Sequence, residues 1–131
     1  MNYNVWRAGF AITSGLMNPT HLELEKRTGS NGNQIVMRLS GKVSLETVHD
    51  FIQALRPEPA LHLILDMSGV SFLDSAGVGA LVQIFVHRRN LGQTFTLAGL
   101  TKQGNAVIQV AGLSKLLPIH ASVAEALAQQ A

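Results

Sequence analysis

Apolar and polar side chains alternate along His21-Leu22-Glu23-Leu24-Glu25-Lys26, the period of a strand with one buried face. The turn-forming run Gly29-Ser30-Asn31-Gly32-Asn33 follows, and Gln34-Ile35-Val36-Met37-Arg38-Leu39 reads as a second strand. The two predict a hairpin. Ser40-Gly41 ends the second strand. The period then changes: Leu45, Val48, Ile52 and Leu55 recur at helical spacing, which predicts a helix over 44–55, capped by Ser44 and stopped by Pro57-Glu58-Pro59.

Leu61-His62-Leu63-Ile64-Leu65 is almost unbroken in apolar character and bounded by turn residues, as suits a central strand covered on both faces. Residues 67–70 read as a turn and 71–73 as a brief extension. A helix is expected over about 76–91, with Val78, Leu81, Val82, Phe85 and Val86 inward, Gln83, His87 and Asn90 outward, and Gly92 as its stop. Residues 94–98 alternate as a strand, about 105–111 form a weaker helix ended by Gly112, 115–119 contain a short last strand, and 122–129 form a final helix. The order β-β-α-β-α-β-α-β-α predicts an α/β fold, a mixed sheet with helices packed on it. In it 61–65 is central, and the helices at 44–55 and 76–91 share one face. Residues 1–20 show neither period and are expected to form a flexible or loosely packed arm before a domain over 21–131. Trp6 and Phe10 of that arm are expected to pack locally, with packing on a partner as the alternative.

Composition narrows the function classes. A chain of 131 residues suits one domain. Charged residues make up only 14% of it, so much of the surface must be small, polar or apolar, as in a protein that works through contacts. The 10 basic residues are scattered, with only Lys26-Arg27 and Arg88-Arg89 adjacent, and aromatics are 5%. That pattern argues against direct nucleic-acid binding. The lack of cysteine excludes disulfides, thiolate catalysis and zinc–thiolate sites, and fits a reducing, cytoplasmic compartment. No His or carboxylate cluster has metal-ligand spacing and no glycine-rich phosphate loop is present, so neither metal nor cofactor is expected. No run approaches the ~18 apolar residues of a membrane span. The apolar stretch at 8–12 is too short and broken for a signal peptide.

The candidate chemistry lies in Phe72-Leu73-Asp74-Ser75-Ala76-Gly77-Val78-Gly79, where a strand end meets a helix start. Ser75 is the expected N-cap, accepting from first-turn amides. The same amides carry the positive end of the helix dipole and would receive a phosphate on Ser75. Gly77 and Gly79 strip the first turn of side chains, so another backbone could approach closely. The plainer alternative is an ordinary cap with glycines kept for helix–sheet packing. A nucleophile elbow is absent because position 73 is Leu. As a hydrolytic nucleophile Ser75 would need His62, His87 or His120 as base. His62 sits within an apolar strand, and His87 lies roughly 18 Å further along the helix, beyond hydrogen-bond reach. The chain is therefore expected not to be an enzyme.

Three further stretches fall in order around that motif: Leu39-Ser40-Gly41-Lys42-Val43-Ser44 before the first helix, Asn90-Leu91-Gly92 before a strand, and Val110-Ala111-Gly112-Leu113 before the last strand. With Leu63-Ile64-Leu65-Asp66-Met67-Ser68-Gly69-Val70-Ser71 leading into Phe72 to Gly79, the chain resembles the STAS domain family over about residues 22 to 130, and within it the bacterial anti-sigma factor antagonists. The resemblance implies a STAS-like mixed sheet with helices mainly on one face. It implies that an anti-sigma factor serine kinase phosphorylates Ser75, that Asp74 orients Ser75, that phosphorylation releases the partner, and that a PP2C-type phosphatase resets the cycle. The implied contact surface comprises Asp74, Ser75, Ala76, Gly77 and Gly79 with Lys42 and Ser44 from the preceding turn. Many members carry Gly-Glu-Leu-Asp in that turn. Here it is Gly41-Lys42-Val43-Ser44, which changes the local sign of charge. The family also contains accessory subunits of lipid or anion transporters and signalling scaffolds, which stand as the alternative. The oligomeric state is left open.

Overall fold

The computed structural model describes residues 6–7, 22–28 and 33–129. Among them the elements run β1 (Trp6–Arg7), β2 (Leu22–Thr28), β3 (Gln34–Val43), α1 (Val48–Leu55), β4 (His62–Leu73), α2 (Ser75–Asn90), β5 (Thr94–Ala98), α3 (Lys102–Val110), β6 (Ile119–His120) and α4 (Val123–Gln129). The strands form one mixed sheet in sequence order. β1, β2 and β3 are antiparallel neighbours, and β3 to β6 are parallel. Each parallel step crosses over through one helix, as parallel pairing requires. The pairing of β1 with β2 was not anticipated, because two residues are too few to show a period. The rest of the expected arm over 1–20, Phe10 included, lies outside the described residues, as do 29–32 of the turn run.

Alternation along the strands sorts the core into two layers. Leu24, Met37, Leu39, Leu63, Leu65, Phe95 and Leu97 face α1, α2 and α3, and Phe51, Leu55, Leu81, Ile84 and Ile108 of those helices pack onto them. On the opposite face Val36, Ile64 and Ala98 are covered by Ala126, Val123 and Leu127 of α4. Leu63 and Leu65 are 0% exposed, as the unbroken apolar run predicts for a central strand.

Several boundaries differ from expectation for identifiable reasons. β4 does not turn after Leu65 but continues to Leu73. It carries an extra residue against β3 twice, once between Asp66 and Gly69, opposite Arg38 to Ser40, and once between Val70 and Phe72, opposite Gly41 to Lys42. At Gly69 an added Cβ would stand 2.5 Å from the Leu39 carbonyl oxygen, so this glycine serves close strand approach inside a bulge rather than a turn. α1 starts at Val48, not Ser44. The Thr47 hydroxyl accepts from Ser44 N and donates to Lys42 O, holding 44–47 in a turn that competes with the helix. Leu45, expected inward, is consequently 72% exposed.

The buried side of α2 is Gly77, Val78, Ala80, Leu81, Ile84 and Arg88, and Val86, expected inward, is 41% exposed. Apolar residues surround this helix, so its period does not select a face; the small residues mark the side that approaches the sheet. α3 begins at Lys102 because the Thr101 hydroxyl caps it, accepting from Gly104 N at 3.1 Å. β6 comes later than expected, at Ile119–His120, after a turn at 114–116.

The end of the sheet where β4 and β5 begin is closed by a buried charge. Arg88 is 0% exposed. Its Nε donates to Thr94 O at 2.8 Å, Nη1 to Glu58 O at 3.0 Å and Nη2 to Ala60 O at 2.6 Å. Burial lowers the guanidinium pKa, opposed by the nearby Glu58 carboxylate. Glu58 is itself buried, pairs with Lys26 Nζ at 2.7 Å and accepts from Ala60 N.

Candidate functional site

The opposite end of the sheet carries the Asp74–Gly79 segment. β5 stops at Ala98, which lies across from Asp66, whereas β4 runs on to Leu73 beside Val43 of β3. The chain then enters α2. Asp74 is extended (φ −109°, ψ −176°), and its Oδ1 accepts from Gly77 N at 2.8 Å. Asp74 is therefore the N-cap, not Ser75 as expected. The extended backbone that a cap requires falls on Asp74, and a carboxylate suits the positive helix end at least as well as a hydroxyl. Its Oδ2 accepts from Leu45 N at 3.1 Å, so one carboxylate ties the start of α2 to the turn between β3 and α1. Relieved of capping, Ser75 is the first helical residue and is exposed. First-turn amides have no acceptor within the helix.

The two glycines separate in role. Gly77 is buried, and a Cβ there would overlap the Val43 carbonyl oxygen and stand 2.8 Å from Leu73 Cδ1. Gly79 is exposed, with nothing within 4 Å of an added Cβ. Gly77→Ala is expected to lower stability by about 1–3 kcal/mol through overpacking. Gly79→Ala should hold or slightly raise it, by up to ~1 kcal/mol of helix propensity. Urea unfolding of both variants checks the contrast; equal midpoints would place Gly77 wrongly.

Around Ser75 the exposed surface is apolar with mixed charge. Leu45 and Phe72 are 72% and 42% exposed, and Phe72 lies opposite Lys42 in the β3–β4 register. Lys42 is exposed, but Ser44 is only 3% exposed and donates its hydroxyl to Glu46 Oε2 at 2.8 Å. That hydrogen bond holds the exposed Glu46 carboxyl below its ordinary pKa. The sign change expected from Lys42 is thus offset by Glu46 close by. On the other flank, Gln103 of α3 bonds both the N–H and the C=O of Leu73. Of the residues singled out from the sequence, Lys42, Asp74, Ser75, Ala76 and Gly79 meet at this end with some exposure, while Gly77 and Ser44 lie beneath the surface. Leu45, Glu46 and Gln103 carry no such expectation from the sequence: Leu45 fits a helical period, and Phe72, which opens the motif, is set beside Lys42 by the β3–β4 register.

The candidate bases are dispersed. His62 opens β4 at the far end of the strand, with Nδ1 2.9 Å from Thr94 Oγ1. His87 lines a recess with Gln53, Arg56 and Pro57, and His120 lines another with Leu100, Thr101 and Lys102. Among the described residues, no group of three or more His, Cys, Asp or Glu could hold a metal ion, and no helix is long and apolar enough to cross a membrane.

Comparison with known proteins follows the same outline. The STAS domain family model matches residues 22–126. An anti-sigma F factor antagonist from Paenibacillus polymyxa is 22% identical over 113 residues, covering 82% of this chain and 92% of that protein. The crystal structure of an anti-sigma factor antagonist from Mycobacterium paratuberculosis superposes with TM-score 0.73 at 23% identity, covering 87% of this chain and 97% of that one. A sulfate transporter family protein from Wolinella succinogenes gives TM-score 0.69 at 17% identity, covering 78% and 88%. At these identities the structural likenesses establish the fold alone.

Proposed function

The chain belongs to the STAS domain family, and on that premise we propose that it is an anti-sigma factor antagonist whose docking on a partner is controlled by phosphorylation of Ser75. The observation that carries this reading is the exposed Ser75, free of capping because Asp74 takes that role, at an amide-rich helix start that Asp74 ties to exposed Leu45, with exposed Phe72 three residues before it. The relative named an anti-sigma F factor antagonist supports it. The partner is an anti-sigma factor serine kinase, which transfers phosphate to Ser75 and is then released; a PP2C-type phosphatase removes the phosphate. The chain supplies a surface and an acceptor hydroxyl, and no catalysis of its own. The reading places it in the cytoplasm. The transporter-subunit alternative shares the fold, and no feature of the site favours it.

The test is phosphoryl transfer. The anti-sigma factor serine kinases of the source organism are purified and each is incubated with the protein and γ-labelled ATP. One is expected to label wild type at Ser75, located by mass spectrometry, and to leave Ser75→Ala unlabelled while binding it with the wild-type Kd. Labelling at another residue, or binding lost in Ser75→Ala, would reject the switch.

A further inference from the structure

β4 outlasts β5. Past Asp66, no strand among the described residues pairs with the edge of β4 that faces β5. At Leu73 the N–H and C=O point toward that side, because the next N–H, that of Asp74, points the other way to Val43 O at 3.3 Å. Leu73 is 0% exposed, so both groups need a partner. The Gln103 carboxamide supplies both: Oε1 accepts from Leu73 N at 3.0 Å and Nε2 donates to Leu73 O at 2.8 Å. One side chain thereby performs the pairing that a residue of a neighbouring strand would. No other natural side chain of that length offers a neutral donor and acceptor in one plane.

Gln103 is itself fixed. It stands in the first turn of α3, between Thr101, which caps that helix, and Gly104, whose added Cβ would stand 3.4 Å from Thr101 Oγ1 and 3.9 Å from Leu73 Cδ2. Ser75 comes two residues after Leu73, so its segment is held from both flanks. Asp74 Oδ2 ties it to Leu45, and Gln103 ties it to α3.

We propose that Gln103 is a positioning residue for phosphoryl transfer to Ser75: through its double hydrogen bond to Leu73, α3 sets where the Ser75 hydroxyl stands. This rests on Ser75 being the phosphate acceptor. Transfer needs the acceptor oxygen in line with the donor phosphorus, and a displacement of ~1 Å can cost ~100-fold in rate. Gln103 acts on the Ser75 segment through its bonds to Leu73, so its effect is expected in turnover rather than in docking.

The experiment uses Gln103→Met, which keeps length and removes both hydrogen bonds, measured beside wild type. With the kinase that labels the wild type, kcat for Ser75 is expected to fall about tenfold or more, with KM within about twofold. A variant that merely unfolded in part would lower the fraction labelled and leave kcat per folded molecule unchanged. Amide hydrogen exchange is measured in parallel. Exchange at Leu73 and Asp74, whose N–H groups donate to Gln103 Oε1 and Val43 O, is expected to quicken about tenfold or more, with β2 and α4 unchanged. Unchanged exchange at those two amides overturns the proposal whether or not any kinase acts. Quickened exchange with unchanged kcat overturns it as well. If no kinase labels wild-type Ser75, the switch reading fails by itself, and exchange alone decides whether Gln103 sets this segment.

Discussion

Arg88→Ala is expected to cost about 3–5 kcal/mol of folding stability, a fall in Tm of about 10–20 °C. The guanidinium of Arg88 is fully buried and donates to the carbonyls of Thr94, Glu58 and Ala60. Truncation removes the donor that Arg88 supplies to each carbonyl, at about 1–3 kcal/mol for each that stays dry and has no second donor. It also opens a cavity and removes the positive neighbour of the buried Glu58, which retains Lys26. Arg88→Lys should recover only part of the loss, because an ammonium lacks the planar fork that reaches carbonyls in separate directions. Chemical denaturation of wild type and both variants measures the effect. A loss under about 1 kcal/mol for the alanine variant would mean that water replaces the guanidinium.

Phosphorylation of Ser75 is expected to weaken partner binding by more than about a hundredfold. The phosphate adds about −1.5 to −2 charges at neutral pH. In the free protein the start of α2 tolerates that charge, with a favourable dipole term of about 0.3–2 kcal/mol, so thermal unfolding should show the fold intact. Docking changes the balance. The dianion would be desolvated against a surface whose neighbours are the apolar Leu45 and Phe72, with the carboxylates of Asp74 and Glu46 adding like charge. Lys42 offsets only part of this. A penalty of ~3 kcal/mol corresponds to more than a hundredfold in Kd. Calorimetry with the kinase partner and with wild-type, Ser75→Ala and enzymatically phosphorylated protein is the measurement. Equal or tighter binding by the phosphorylated form would end the release reading, and would point to an arginine cluster on the partner.

The parts of this fold that announce themselves are those whose neighbours along the chain carry the information. The alternation at 22–26 gave a strand that buries Leu22 and Leu24, and the apolar run at 61–65 gave one that buries Leu63, Ile64 and Leu65, although Leu61 stands before β4 and is 43% exposed. The motif at 74–79 marks the candidate site because a strand end, a cap and glycines are all local. What escaped depends on residues distant in sequence. Arg88 beside Arg89 looks like a solvated basic pair, yet its acceptors include carbonyls 28 and 30 residues away. Gly69 reads as a turn until the Leu39 carbonyl is placed against it. The cap fell on Asp74 rather than Ser75 because either side chain can cap, and the backbone of the preceding strand decides. Gln103 gave no signal at all, since its partner is a length difference between two strands.

The buried guanidinium and the Ser75 surface occupy opposite ends of one helix, roughly 20 Å apart along α2. Changes separated by more than ~7–10 Å without shared partners combine additively in stability. Lineages descending from such a protein can therefore exchange Lys42, Leu45, Glu46, Phe72 and Gly79 to acquire new partners without eroding the anchor that keeps the domain folded. The same spacing makes the molecule a scaffold for retargeting, in which a library confined to those five positions would diversify specificity and draw little on stability.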